Sequence, residues 1–89
     1  MVEYTILYSK QALKDAKNLS SANLDKRAKE LITVIKKNPF QNPPPYEKLV
    51  GNLSGAYSRR INIKHRMVYE VRDSDKVIRI LRMWSHYGE

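Results

Sequence analysis

The side chains needed to cleave a ribose phosphodiester are spread over the second half of this sequence. Glu47 precedes the run Asn52-Leu53-Ser54-Gly55, then the basic pair Arg59-Arg60, then Lys64-His65-Arg66, and His86-Tyr87 follows near the end. In such a cleavage a base takes the proton of the 2′-hydroxyl, cations hold the charged phosphorane, and an acid protonates the leaving oxygen. By type alone Glu47 is an ordinary surface carboxylate. Its place after a proline-rich stretch and among arginines points instead to an ionised carboxylate held in one position, ready to accept a proton. His86 by type alone is an exposed or packed ring, yet an unperturbed imidazole titrates near about pH 6.5 and suits proton donation around neutrality. His65 falls between two strand-like segments and reads as structural.

Arg66, Arg59 and Arg60 are either plain strand charges or guanidinium forks that grip phosphate at two points, which lysine cannot copy. Lys48, Arg59, Arg60 and Lys64 are the candidate RNA-binding cations. Because Arg59 and Arg60 are adjacent on a strand, they point to opposite faces, so one of them serves a given site. Tyr57, Trp84 and Tyr87 are of a type that stacks on nucleobases. For Tyr57 and Trp84 the simpler expectation is burial in a core.

The elements that must position these groups are legible in the apolar spacing. Residues 2–8 alternate Val2, Tyr4, Ile6 and Tyr8 with Glu3, Thr5 and Leu7, the period of a strand. Ser9 can cap a helix whose apolar face is Ala12, Leu13, Ala16 and Leu19. A polar break spans Asn18 to Asn23, with Ser20 and Ser21 as further caps. A second helix carries Leu24, Ala28, Leu31 and Ile35 on one face. Lys36 and Lys37 complement its negative end, and Asn38 before Pro39 ends it. Residues 39–46, with Pro39, Pro43, Pro44 and Pro45, form a stiff extended connector that delivers Tyr46-Glu47. Asn52 to Gly55 is a turn, followed by strands over 56–63, 66–72 and 76–87, with a turn at Asp73-Ser74-Asp75. In the last strand both parities are apolar, so the buried face stays open. The order β-α-α-β-β-β describes an α+β domain with two helices on one face of an antiparallel sheet.

With 89 residues the chain makes a single domain, 1–89, with a thin core, since so small a domain buries only about 60–65% of its unfolded surface. A binding partner would add stability by mass action. Hydrophobic residues are 42% and charged residues 29%, which excludes a disordered chain. The net charge of +8 favours an anionic partner: nucleic acid, a ribosome or an acidic protein. Cysteine is absent, so disulfides, thiolate metal sites and thiol nucleophiles are excluded. The two histidines lack metal-ligand spacing. No apolar run approaches a membrane span, no signal-peptide pattern opens the sequence, and the cytoplasm is the expected compartment.

The pattern formed by Pro39-Phe40, Glu47, Asn52-Leu53-Ser54-Gly55, Tyr57-Ser58-Arg59-Arg60-Ile61, His65-Arg66-Met67-Val68-Tyr69 and Ser85-His86-Tyr87 resembles the YoeB/Txe toxins of bacterial toxin–antitoxin systems, within the RelE/ParE superfamily. The resemblance spans the chain and is densest over residues 47–87. It implies a microbial-RNase-like fold and a ribosome-dependent endoribonuclease that cuts mRNA in the ribosomal A site and is neutralised by a cognate acidic antitoxin. It implies that Glu47 is the general base, that Arg66 stabilises phosphate, that His86 is the general acid, and that Tyr87 supports the site. A homodimer is common in that family. Two departures stand out. Relatives often carry a lysine three residues after the glutamate, where this chain has Val50, its own lysine being Lys48. Many also end at His-Tyr, where this chain continues with Gly88-Glu89. Such an activity needs no metal or other cofactor, because the 2′-hydroxyl is an internal nucleophile. Two other readings remain open on the residues: a non-catalytic ParE-type toxin acting by protein binding, and a basic RNA-binding module without chemistry.

Overall fold

The computed structural model describes residues 3–42, 45–49, 55–62 and 64–85. The elements run β1 (Thr5–Tyr8), α1 (Lys10–Ser21), α2 (Asp25–Lys37), β2 (Tyr46–Lys48), β3 (Ala56–Arg60), β4 (Arg66–Arg72) and β5 (Val77–Ser85). They build one five-stranded sheet in the order β1-β5-β4-β3-β2. The two expected helices and the α+β class are present.

The sheet differs from the expected antiparallel one in two ways. First, β1 pairs with β5 in parallel, Ile6 opposite Ile78, so the sheet is mixed. The helix pair acts as a crossover that brings β1 alongside a strand at the far end of the chain. Second, part of the proline connector is itself a strand: Tyr46–Lys48 pairs antiparallel with β3, Glu47 opposite Ser58. Three residues with prolines before them carry too little periodicity to be recognised alone; the pairing comes from β3.

Both helices cover one face. Ala12 and Leu19 of α1 and Ala28, Leu31 and Ile35 of α2 pack with Met67, Tyr69, Ile78, Ile80 and Met83 of the sheet. Burying each of the leucine, isoleucine and methionine side chains contributes about 1.5–3 kcal/mol before entropy is charged against it. The open parity of the last strand has a physical cause. The β4–β5 register shifts between the pairs Val68–Arg82 and Tyr69–Ile80. Such an irregularity moves the buried parity by one residue. Ile78 and Ile80 are buried before it and Met83 after it. On the opposite face Leu49, Ala56 and Val68 form a smaller apolar cluster with Leu81.

Ser9 caps α1 as its type suggests: its Oγ accepts the Ala12 N–H at 3.0 Å and donates to the Leu81 carbonyl at 2.9 Å. One hydroxyl therefore starts the helix and fixes it to β5. The polar break comes later than its composition implies. Helix α1 runs through Ser21, because buried Leu19 holds its last turn against the core. The chain reverses at Asn23, in the left-handed region at φ 60°, and the Leu24 N–H closes on the Leu19 carbonyl.

Asp15 is the most consequential polar residue that periodicity does not reveal. It lies on the buried side of α1, 1% exposed. Its Oδ2 accepts the N–H groups of Met83 at 2.9 Å and Trp84 at 3.2 Å and Arg82 Nε at 3.0 Å; its Oδ1 accepts Gln11 Nε2 at 2.9 Å. β1 ends at Tyr8, and a helix carboxylate satisfies amides of β5 beyond it. Burial alone would push this carboxyl up, but the bonds from Met83, Gln11, Arg82 and Trp84 outweigh it and hold the group below its ordinary value of 3.8. Stability from a depressed carboxyl is present above the unfolded value and lost as pH falls through the folded one. Asp15→Ala should therefore cost about 1–3 kcal/mol at neutral pH, the range for stranding buried donors. That deficit, measured by urea unfolding, should narrow as the pH drops below 3.8.

Candidate active site on the uncovered sheet face

Strand pairing decides what reaches the face away from the helices. Glu47 on β2 lies opposite Ser58 on β3, and Ser58 lies opposite Val68 on β4. Two residues along β3, Arg60 lies opposite Arg66, which in turn lies opposite Ser85 of β5. Glu47, Ser58, Arg60 and Arg66, with Pro45 and Tyr46, line one pocket of about 230 Å³. At its centre Arg66 Nη1 donates to Glu47 Oε2 at 3.1 Å. The Glu47 side chain is 61% exposed and that of Arg66 21%. A pair this open contributes little to folding, so neither group is committed to holding the chain together. A carboxylate, two guanidiniums and a buried hydroxyl thus converge on one hollow, with the means to accept a proton and to bind an anion.

The adjacent arginines divide as strand alternation requires, and one expectation is corrected. Arg59 is 1% exposed and faces the helix side, not a ligand. Its Nε donates to the Tyr69 hydroxyl at 3.0 Å, and its Nη2 donates to the carbonyls of Pro39 at 3.0 Å and Gln41 at 2.8 Å. The guanidinium also lies 5.1 Å from the centre of the Tyr46 ring. The Tyr69 hydroxyl in turn donates to the Pro39 carbonyl at 2.9 Å. Burial pushes the Tyr69 phenol up, against the pull of Arg59. Phe40 and Tyr46 each pack edge to face on Tyr57 and tilt against one another beside this cluster. Arg59 is therefore withdrawn as an RNA contact; it anchors the segment that carries Glu47.

The remaining candidates are placed as follows. Lys48 is exposed, and its strand parity sets it on the face opposite Glu47. Lys64 is exposed in the β3–β4 turn and does not line the pocket. His65 is buried and stacks on Trp84 at 3.7 Å between ring centres, while its backbone N–H donates to Asn62 Oδ1 at 2.7 Å, a turn-forming role. Tyr57 and Trp84 are partly buried against the main core, as their type suggests. His86, Tyr87, the Asn52–Ser54 run and the Val50 position lie outside the described residues. Ser58 was not singled out from sequence. A serine beside two arginines carries no signal until strand pairing puts it opposite a carboxylate.

A two-helix layer on a five-stranded mixed sheet, with an acid and two arginines lining a hollow on the uncovered face, defines a small basic α+β protein. The family described as YoeB-like toxin of bacterial type II toxin-antitoxin system matches residues 8–87, and the chain belongs to it. Toxin YoeB of Synechocystis is 47% identical over 53 residues, covering 60% of this chain and 62% of that one. The chain thus spans less than two thirds of that relative. Among solved structures, the YoeB-YefM complex from Staphylococcus aureus matches with TM-score 0.80 and 38% identity, over 97% of this chain and all of that one. The YoeB dimer from the same organism matches with TM-score 0.82 and 37% identity over the same shares.

The two arginines separate in a stability measurement. Arg59→Ala should lower unfolding free energy by about 2–5 kcal/mol, the range for emptying a buried site of comparable bulk. Arg60→Ala should stay within about 0.5 kcal/mol, as for most surface changes. Urea unfolding followed by tryptophan fluorescence reads both.

Proposed function

We propose that this toxin is a ribosome-dependent mRNA endoribonuclease. The observation that carries the reading is the Glu47–Arg66 pair, 3.1 Å apart in an open pocket that Arg60 also lines. Glu47 takes the proton of a ribose 2′-hydroxyl, and the 2′-oxygen attacks the adjacent phosphorus. Arg66, released from Glu47 by the arriving phosphate, balances the charge that develops on the phosphorane. His86 donates a proton to the leaving 5′-oxygen, supported by Tyr87. The sequence places His86 one residue beyond Ser85, the residue paired with Arg66. The P–O5′ bond breaks as the P–O2′ bond forms, leaving a 2′,3′-cyclic phosphate and a 5′-hydroxyl. Arg60 is the principal RNA-binding cation of the pocket; Lys48 and Lys64 lie outside it and serve contacts with more distant phosphate.

The pocket is small and open, so it positions few atoms of an RNA strand. A ribosome holding mRNA supplies the orientation that the protein lacks. The charge of +8 suits docking on rRNA and capture by an acidic antitoxin. The solved relatives that include a YoeB-YefM complex and a YoeB dimer support an antitoxin partner and a dimeric assembly. No helix among the described residues is long and apolar enough to cross a membrane. The cytoplasm, where mRNA is translated, is the proposed site of action.

Single-turnover cleavage of ribosome-bound mRNA at saturating protein tests the chemistry. Glu47→Gln and His86→Ala should each lose about 10²–10⁴-fold, the contribution of general acid–base catalysis. Arg66→Ala should lose about 10²–10³-fold, as for removal of a donor to developing charge. The double variant Glu47→Gln/His86→Ala should lose far less than the product of the single losses, because the groups act as a unit. A 2′-deoxyribose at the scissile nucleotide should abolish the reaction. Undiminished cutting by Glu47→Gln, or of the deoxy substrate, overturns the mechanism.

The same surface should take the antitoxin. Arg60→Glu and Arg66→Glu should both slow its association at low salt, with the difference from wild type shrinking as salt rises. Stopped-flow mixing of the purified proteins measures this.

A further inference from the structure

Ser58 is the one buried polar group of the pocket that folding leaves unexplained. The residue is 2% exposed and lines the same hollow as Glu47, Arg60 and Arg66, and its buried hydroxyl finds no hydrogen-bond partner among the described residues. A buried hydroxyl without a partner is costly, and native interiors rarely keep one without use. Two other buried polar residues, Asp15 and Arg59, show the contrast, since both are tied to named backbone groups. The surroundings of Ser58 say what would satisfy it. Glu47 lies directly across the strand pair, where opposite Cβ atoms are about 4.5–5.5 Å apart. Arg60 is two residues along the same strand, on the same face, and Arg66 is opposite Arg60. A group bound there meets guanidinium donors at one end, a carboxylate at the side and a hydroxyl set into the floor. Leu49, Ala56 and Val68 pack into an apolar cluster beside it, so the hydroxyl acts in surroundings where a hydrogen bond is strong.

We propose that the Ser58 hydroxyl is a substrate-binding donor that takes a phosphoryl oxygen of the RNA, completing with Arg60 and Arg66 a three-donor phosphate site. This rests on the ribonuclease reading for the identity of the ligand, but the site itself is defined by the pocket. A neutral donor from the floor fixes the depth at which the phosphate sits, and with it the distance from the 2′-oxygen to Glu47. The two arginines, on longer and more exposed side chains, cannot fix that depth alone.

The test uses full-length protein and two probes. One is a short RNA ending in a 3′-phosphate, with binding measured by calorimetry; the other is ribosome-bound mRNA in single turnover. Ser58→Ala should weaken RNA 3′-phosphate binding about 10–100-fold, the worth of a hydrogen bond to a charged acceptor. It should leave the melting temperature equal to or above wild type, because the hydroxyl stabilises nothing in the free protein. Ser58→Thr, which keeps the hydroxyl, should restore most of the binding. The same RNA without its 3′-phosphate should bind wild type and Ser58→Ala alike. Wild-type affinity for the phosphorylated probe in Ser58→Ala overturns the proposal. So does a lowered melting temperature in Ser58→Ala with no recovery in Ser58→Thr, since that marks a packing role. The two readings fail separately. If Ser58→Ala cuts and binds normally while Glu47→Gln is inactive, the ribonuclease stands and the Ser58 site falls. If wild type does not cut but Ser58→Ala loses phosphate binding, the site stands and the ribonuclease falls.

Discussion

The placement of Glu47 depends on a buried arginine on the other side of the sheet. A guanidinium withdrawn from water carries a large desolvation penalty unless its donors are met. Arg59 meets that condition by bonding to the Pro39 and Gln41 carbonyls and the Tyr69 hydroxyl, with the Tyr46 ring beside it. Those partners lie at the start and end of the proline segment and on β4. Burying Arg59 therefore draws the connector down onto the sheet. β2 has only three residues and pairs with β3 alone. So short an edge strand frays easily without help, and its exposed carboxylate would wander. The clamp on one face is what gives the carboxylate on the other face a fixed address.

The sheet thereby separates two kinds of work. Its covered face holds the apolar core, and buried polar groups there are satisfied by backbone, as with Arg59 and Tyr69. Its open face carries an exposed ion pair and one unsatisfied hydroxyl. Functional sites are where the rule of polar satisfaction is relaxed, because the ligand completes it. The position of Asp15 follows the same logic in reverse. It uses a charge to close off the amides of β5 beyond the end of β1, so that edge does not remain open.

Sequence revealed the helices and β4 well because their apolar residues recur with unbroken period. It revealed Glu47, Arg60 and Arg66 as candidates because charge type and clustering survive without a structure. It also limited the arginine pair to one site residue by alternation, without saying which. Only the packing of Tyr46, Tyr69 and the proline segment decided that Arg59 is the buried one. The face of β5 was illegible because a register shift swaps parity partway along it. β2 was illegible because its strand character comes from β3 and not from its own residues. Ser58 and Asp15 gave no signal because what distinguishes them is the identity of their neighbours across the fold.

The parallel pairing of β1 with β5 has a further consequence. β5 lies between β1 and β4, so an interior strand of the sheet comes some seventy residues after its parallel partner, as in Ile6 opposite Ile78. Closing that separation costs loop entropy before any contact repays it, which makes the step slow and highly cooperative. Until β5 arrives, β1 has no neighbour, α1 lacks the backbone amides that Asp15 caps, and β4 lacks one side of its ladder. A chain still emerging from a ribosome thus has no stable sub-structure that includes the pocket. The topology links the pocket to β5: a fragment cut short before that strand keeps the residues of β2, β3 and β4 but not the sheet that brings them together.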